Sequence, residues 1–482
     1  MSIEYFSIEP ANRSTNDTYS YDDGTPTIAF HIADAEKYLI GNSVRLSFDV
    51  EIQKADGTKL DASGTQAGFS SSNGLHSIIQ QIDISSFKSN VMLESVRNYN
   101  RCVSTLMNCG FSDQEEITDQ RTNEGVSLSQ EYNFNHVGNS NKSGTTATDN
   151  QYDSNYCIPL YTGLMMSQPI FLGQTALKGM KIVLNLAPSN NALVRFDKSS
   201  DTTIYKYVLR NVKLIGQYYN PTDQERTAGK IKSLFQNSYS AMMRSQGVNP
   251  TQDMLETAFS EQVDMGREIG SMPPYTFNSI TGFVDSLNSN TSSHSINMGL
   301  SNCVSVFVNF CKSSDINNLN ADGQSCRFLV DSNDVLAPIT KLVWSRNGVL
   351  YPYKYDLTSN ADGNFNDGST GDRRAGIFRS VVDAVKPFRN NHYVVGNYTN
   401  NINHLVQFYG VVGVDTLNCR CAGVGVNFSG HLSGSGQDFR FQPLQFQIDS
   451  KVKNSPTNHT LYLFAINRQT ITFNNNQVQV IT

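Results

Sequence analysis

Two parts of this chain, 260 residues apart, carry the same alternation of apolar and polar residues. The first part, Val44 to Ile52, alternates over nine positions, as a β-strand with one buried face and one solvated face requires. We expect its five apolar residues to point into a core: Val44, Leu46, Phe48, Val50 and Ile52. We expect its polar residues to face solvent or a neighbouring subunit: Arg45, Ser47, Asp49 and Glu51.

The alternation belongs to a longer internal repeat. A shift of 260 residues places four of these apolar positions on Val304, Val306, Val308 and Phe310. The same shift places Ile79, Ile82 and Ile84 on Ile339, Leu342 and Trp344. Near the end of each half, a shift of 257 residues places Tyr205, Tyr207 and Leu209 on Tyr462, Phe464 and Ile466. Three pairs of strands in one order, at nearly one offset, predict a duplicated β domain.

Similar strand patterns recur along the chain and are separated by clusters of Gly, Asn, Ser and Asp. This arrangement favours an antiparallel sandwich or barrel over a parallel sheet with interleaved helices, so we predict a mainly β fold. The remaining predicted strands are Ser77–Ile84, Met180–Leu186, Ile204–Ile215, Val304–Phe310, Ile339–Trp344, Leu405–Val414, Phe439–Ile448 and Leu461–Phe473. Helical spacing is confined to Val96–Met107, Ile377–Val385 and a polar tract from Asp223 to Ile269.

The polar tract separates the two copies and divides the chain into three parts. We predict a first β domain at 1–221, a polar and partly helical connector at 222–272, and a second β domain at 273–482. At 482 residues, the chain is long enough for each domain to have its own core.

Composition argues against several functions. The formal net charge is −6 and no block of Lys or Arg follows a phosphate backbone, so we expect no direct sequence-specific nucleic-acid binding. The longest apolar run, Leu461 to Ile466, is too short to cross a bilayer, and the N-terminal residues do not resemble an export signal. The eight cysteines form no recurring C-x2-C pair, so no metal site is expected.

Motifs for catalysis are also lacking in the sequence. Gly434-Ser435-Gly436 lacks the spacing of a nucleophile elbow, and Gly229-Lys230 lacks the remaining residues of a phosphate-binding loop. The run from Asp362 to Gly368 resembles a calcium loop, but Arg373 stands where a bidentate Glu is needed. We therefore predict no enzyme activity, and name no catalytic, cofactor-binding or metal-binding residues and no cofactor.

Two segments of the first half carry a family resemblance. Ser72 to Ile84, followed by Val91 to Asn100, resembles the first barrel of double jelly-roll major capsid proteins of tailless dsDNA viruses. The likeness is greatest to the virophage and polinton-like virus group, and a related tailless phage lineage fits as well. Ile339 to Pro352 is similar to the matching hairpin of the second barrel.

The resemblance implies two tandem eight-stranded antiparallel jelly-roll barrels with a few short helices. It also implies a structural protein of the virion: a homotrimeric, pseudo-hexagonal capsomer that tiles an icosahedral capsid assembled inside the infected host cell. Its partners would then be neighbouring capsomers and the penton and minor capsid proteins. The long polar insertion from Asn108 to Tyr156 is either a disordered loop or an outward tower of the capsomer, with Thr358 to Asp372 as its analogue.

Two other functions are compatible with a β-rich chain. One is a receptor-binding or fibre protein of a virion, which usually carries an elongated stalk of repeats that this sequence lacks. The other is a carbohydrate-active double jelly-roll protein, which would need a pair of catalytic carboxylates in a cleft.

Overall fold

The fold is that of a computed structural model, which describes the following residues: 2–14, 16–33, 37–58, 67–70, 73–110, 155–167, 169–172, 177–195, 203–220, 239–240, 242–244, 249–251, 253–255, 275–287, 291–321, 323–324, 339–356, 381, 383–388, 424–429, 436–450, 459–474 and 477–481.

Strands dominate both halves of the described chain. Those of the first half are β1 (Ser2–Ile8), β2 (Thr18–Tyr19), β3 (Thr27–Ile32), β4 (Tyr38–Lys54), β5 (Ala67–Phe69), β6 (Ile79–Ser86), β7 (Met92–Arg97), β8 (Asn155–Pro159), β9 (Ile170–Phe171), β10 (Met180–Leu186), β11 (Leu193–Arg195) and β12 (Tyr205–Asn220). Those of the second half are β13 (Tyr275–Leu287), β14 (Thr291–Ile296), β15 (Cys303–Lys312), β16 (Ile339–Arg346), β17 (Val349–Asp356), β18 (Val424–Asn427), β19 (Leu444–Ser450), β20 (His459–Asn474) and β21 (Gln477–Ile481).

Helices are short and few among the described residues. They are α1 (Tyr99–Gly110) and α2 (Ser189–Ala192), with 3₁₀ turns at Gly74–Ile78 and Ser313–Asp315 and a helical segment at 383–388. The predicted helix Val96–Met107 begins later than expected, because Val96 still belongs to β7. Asn98 then takes a left-handed φ of 53°, which Asn tolerates better than most residues, and this turn leads the chain from the strand into the helix.

Each half contains two four-stranded antiparallel sheets with the same strand order. The first half has β1-β12-β4-β8 and β3-β10-β6-β7, and the second half has β13-β20-β15-β18 and β14-β19-β16-β17. The strands therefore correspond one to one in chain order, eight against eight. Short additions, such as β2 and β21, lie outside this common set. This arrangement confirms the predicted fold class of two tandem eight-stranded jelly rolls.

Strand β4 shows the predicted alternation, with one exception. All five of its apolar residues from Val44 to Ile52 are buried, and Arg45, Ser47 and Asp49 are partly exposed. The prediction for Glu51 is wrong, since its side chain is only 2% exposed. Gln53 donates to its carboxylate at 2.8 Å and Arg210 at 2.9 Å, and these longer neighbours on the outer face shield it from solvent.

The predicted 257-residue shift of the last long strand is also wrong in register. In the first jelly roll Tyr205 pairs with Lys54, and in the second Tyr462 pairs with Asn309. If Tyr205 matched Tyr462, then Lys54 would match Asn309, a shift of 309 − 54 = 255 residues rather than 260. The two predicted shifts therefore cannot hold together.

The error is an odd number of residues, which moves side chains to the opposite face of a sheet. Strand β20 is apolar on both faces. Leu461, Leu463 and Ala465 belong to the core of the second jelly roll, whereas Tyr462, Phe464 and Ile466 belong to the hydrophobic cluster of the first. A strand buried on both faces has no polar side to fix its register from sequence. A shift of 256 restores inward residues to inward residues.

Other predicted bounds changed or cannot be placed. Residues 74–78, which include the predicted start of a strand at Ser77, form a 3₁₀ turn, and the strand predicted from Phe439 begins at Leu444. The predicted strand Leu405–Val414, the loop Thr358–Asp372 and the calcium-like run lie outside the described residues, as do most of the insertion Asn108–Tyr156 and of the polar connector.

Candidate functional site

The described residue contacts place the best-defined polar site at the junction between the two jelly rolls. Its centre is Glu94 on β7, the last strand of its sheet, whose side chain is buried. Its Oε1 atom accepts hydrogen bonds from the backbone N–H groups of Gly163 at 2.9 Å and Ile280 at 3.3 Å, and its Oε2 atom accepts one from Leu164 at 2.8 Å. One carboxylate thus joins β7, the loop after β8 and strand β13 of the second jelly roll.

The electrostatics of Glu94 reflect two opposing effects. Burial raises the pKa of its carboxyl group, and the N–H donors together with the Ser279 hydroxyl oppose that rise. Because each of these donors would otherwise be buried without an acceptor, the carboxylate serves the backbone of three segments at once.

The backbones of the two jelly rolls also come into direct contact. A Cβ atom on Gly163 would lie 1.9 Å from the carbonyl oxygen of Asn278, and one on Gly282 would lie 2.8 Å from that of Arg97. Both glycines are therefore needed for the approach, since any side chain would separate the strands.

A second set of contacts joins α1 to the second jelly roll. The buried guanidinium of Arg101 lies 4.4 Å from the ring centroid of Tyr462, and its Nη2 atom donates to Asn191 Oδ1 at 3.0 Å. Asn309 on β15 donates to Thr105 Oγ1 at 3.3 Å, and Gln324 donates to the Asn191 carbonyl at 2.7 Å. Helix α1 is thus packed and hydrogen-bonded to strands of the other domain.

Apolar packing completes the junction. The hydrophobic cluster of the first jelly roll includes residues of the second, among them Phe277, Ile280, Phe307 and Phe464. Such packing resembles a domain interior more than a transient interface, and it holds the two jelly rolls as a single building block.

Sequence reasoning named no site residues and missed both charged residues of this junction. The available signals were weak: Glu94 follows Leu93 in a strand, and Arg101 lies on an amphipathic helix. Within the described residues, no three His, Cys, Asp or Glu side chains are grouped to hold a metal ion, and no helix is long and apolar enough to cross a membrane. The absence of catalytic and cofactor sites remains a prediction.

Comparison with solved structures identifies the fold. The chain aligns with VP54 of the virus PBCV-1, as fitted into a reconstruction of the Sputnik virophage, at a TM-score of 0.52 and 9% identity, covering 100% of this chain and 97% of that one. The fold is the double jelly roll of viral major capsid proteins.

Two further structures give the same result over nearly full lengths. The Sputnik virophage structure matches at a TM-score of 0.51 and 10% identity, covering 100% of this chain and 88% of that one. The Faustovirus major capsid protein matches at 0.51 and 9%, covering 98% and 90%. No protein-family model and no curated protein matches the sequence.

Proposed function

We propose that this chain is a major capsid protein whose homotrimer forms a pseudo-hexagonal capsomer of an icosahedral virion shell. The observation that carries the proposal is the one-to-one correspondence of eight strands in each half, in a chain that spans 90% of the Faustovirus major capsid protein. At such low identity the likeness establishes the fold, and the function follows from how that fold is duplicated and joined.

The junction supports a tile made of two fixed barrels. Glu94, Arg101 and the glycine contacts fix one jelly roll against the other, so each chain presents two similar blocks in a constant geometry. Three such chains closed by heterologous contacts place six similar blocks in a ring, which gives near-hexagonal edges.

The proposal extends to domains, partners and location. Residues 1–221 and 273–482 form the two jelly rolls and 222–272 connect them. The capsomer contacts neighbouring capsomers and penton and minor capsid proteins, and it is assembled in the infected host cell. The chain acts through its surfaces and has no enzymatic role.

The mass of the purified protein tests the proposal. Light scattering should give three chains of 53.4 kDa, about 160 kDa in all, and electron microscopy should show rings, sheets or shells with hexagonal spacing. A monomer at micromolar concentration, with no tendency to form sheets or shells, would refute a capsid role.

A further inference from the structure

Equivalent corners of the two jelly rolls expose large apolar side chains. The first corner comprises residues 85–92, which form the β6–β7 turn, and 177–181, which lead into β10. The two segments are joined where Phe87 N donates to the Gly179 carbonyl at 3.1 Å. Phe87 is 47% exposed at the tip of this turn, and Met92 beside it is exposed to a similar extent.

The second corner comprises residues 345–350, which form the β16–β17 turn, and 437–444, which lead into β19. Asn347 and Gly348 take positive φ angles of 50° and 78°, as a tight two-residue hairpin requires. Val349 and Leu350 follow at the tip and are exposed, and Phe441 is 86% exposed. The same topological position therefore carries protruding apolar residues in both domains.

Cations surround these apolar tips. The corners contain Lys88, Lys178, Lys181, Arg346 and Arg440. Within these ranges Asp438 is the one acidic residue, and it accepts a hydrogen bond from Arg440 Nη2 at 2.6 Å. Five cations against one anion give a local charge of +4, whereas the whole chain carries −6. Positive charge is thus concentrated where the apolar side chains protrude.

Both corners lie at the end of their barrels opposite the long insertion. Strand β7 leaves the first corner at Met92 and ends at Arg97, where α1 and the 111–154 segment follow. Tyr207, near the start of β12, donates its hydroxyl to the Ala187 carbonyl at 2.5 Å, which places the start of β12 at this far end as well. In a tile, the corners of all barrels would therefore share one face.

We infer that this face docks onto the surface of an anionic lipid bilayer, with the corner cations at the headgroups and the apolar tips at the acyl boundary. Apolar side chains interleaved with Lys and Arg are the combination that binds such an interface. This inference goes beyond the proposed capsid function, which does not require a membrane.

Two features favour a lipid surface over a protein partner. The apolar residues protrude from convex turns and do not line a groove, so a protein would need matching pockets, whereas a fluid bilayer does not. The two corners also share only their chemistry: Phe and Met stand in one, and Val, Leu and Phe in the other. A partner that reads shape would distinguish them, and a bilayer reads only apolar area and charge.

Vesicle flotation of the full chain tests the inference. The protein should float with vesicles of phosphatidylcholine containing about 30% phosphatidylserine, and far less with pure phosphatidylcholine, because the cations respond to surface charge. The variant Lys88→Gln/Lys178→Gln should bind about five-fold more weakly for each cation removed. Phe87→Ser/Phe441→Ser should bind at least about ten-fold more weakly, since it removes both apolar tips.

A matched control comes from the far end of the first jelly roll. Ile204 is 63% exposed there, so Ile204→Ser makes the same apolar-to-polar change and should leave vesicle binding unaltered. A direct readout is Phe441→Trp, whose emission should shift to the blue on adding anionic vesicles, while the buried Trp344 contributes a constant signal.

The outcomes separate docking from capsid function. Trimers that ignore anionic vesicles, or corner variants that bind like Ile204→Ser, would overturn the docking inference and leave the capsid proposal intact. Loss of sheets or shells in the corner variants, without any vesicle binding by the parent protein, would assign the corners to a protein contact and would also overturn it. Vesicle binding by a chain that stays monomeric would refute the capsid proposal alone.

Discussion

Replacing Glu94 by Gln should loosen the junction between the jelly rolls. Gln has the same shape, but only one of its two terminal atoms is an acceptor. If the amide oxygen takes the place of Oε1, it still accepts from Gly163 and Ile280, and the amide NH2 then faces the Leu164 N–H group. Leu164 is left as a buried donor opposed by another donor.

The magnitude follows from these contacts. A buried donor left without an acceptor costs about 1–3 kcal/mol, and hydrogen bonds to a charged acceptor are worth more than those to a neutral one. Relief of burying a charged carboxyl group offsets part of this loss. We expect a net destabilisation of about 2–4 kcal/mol, which corresponds to a fall in Tm of several degrees for domains of this size.

Thermal unfolding of the full chain, followed by intrinsic fluorescence, measures the effect. The matched control is Glu9→Gln, which removes a carboxylate whose 3.1 Å ion pair with Arg13 is exposed, and which should change stability by less than about 0.5 kcal/mol. If Glu94→Gln unfolded at the same temperature as Glu9→Gln, the junction would not depend on this carboxylate, and our account of it would be wrong.

Three further predictions concern the core, the junction and pH. Phe48→Ala should cost about 3–5 kcal/mol in chemical denaturation because Phe48 is fully buried, whereas an effect no larger than that of Ser47→Ala would contradict the assigned register. Gly163→Ala should cost about 3 kcal/mol, since the new Cβ would lie 1.9 Å from a carbonyl oxygen, and a wild-type Tm would argue against the close approach. Burial raises the pKa of Glu94 above its ordinary value of 4.5, so the folded state retains this proton to higher pH than the unfolded chain. Its stabilisation is present below 4.5 and is lost as the pH rises through the folded pKa, so the stability of wild type relative to Glu94→Gln should fall in that window, and parallel curves of Tm against pH would exclude this linkage.

The sequence by itself determined the fold class and the duplication. Strand β4 has one apolar face and one polar face, so the period-two pattern from Val44 to Ile52 predicted which apolar residues are buried. The recurrence of such patterns at one spacing predicted two similar domains, and the sheets show this in matching strand order. Local alternation sufficed here because one side of the strand faces a core and the other largely does not.

Tertiary structure alone decided what happens where two domains meet. Strand β20 is covered on both sides, so its alternation disappears and its register could not be inferred from apolar residues. The partners of Glu94 are backbone N–H groups of segments distant in sequence, and a backbone donor leaves no mark on residue type. The same holds for Glu51, whose burial depends on Arg210 across the sheet. Residue patterns report the side of a strand that is buried, and only the assembled fold determines what lies against the other side.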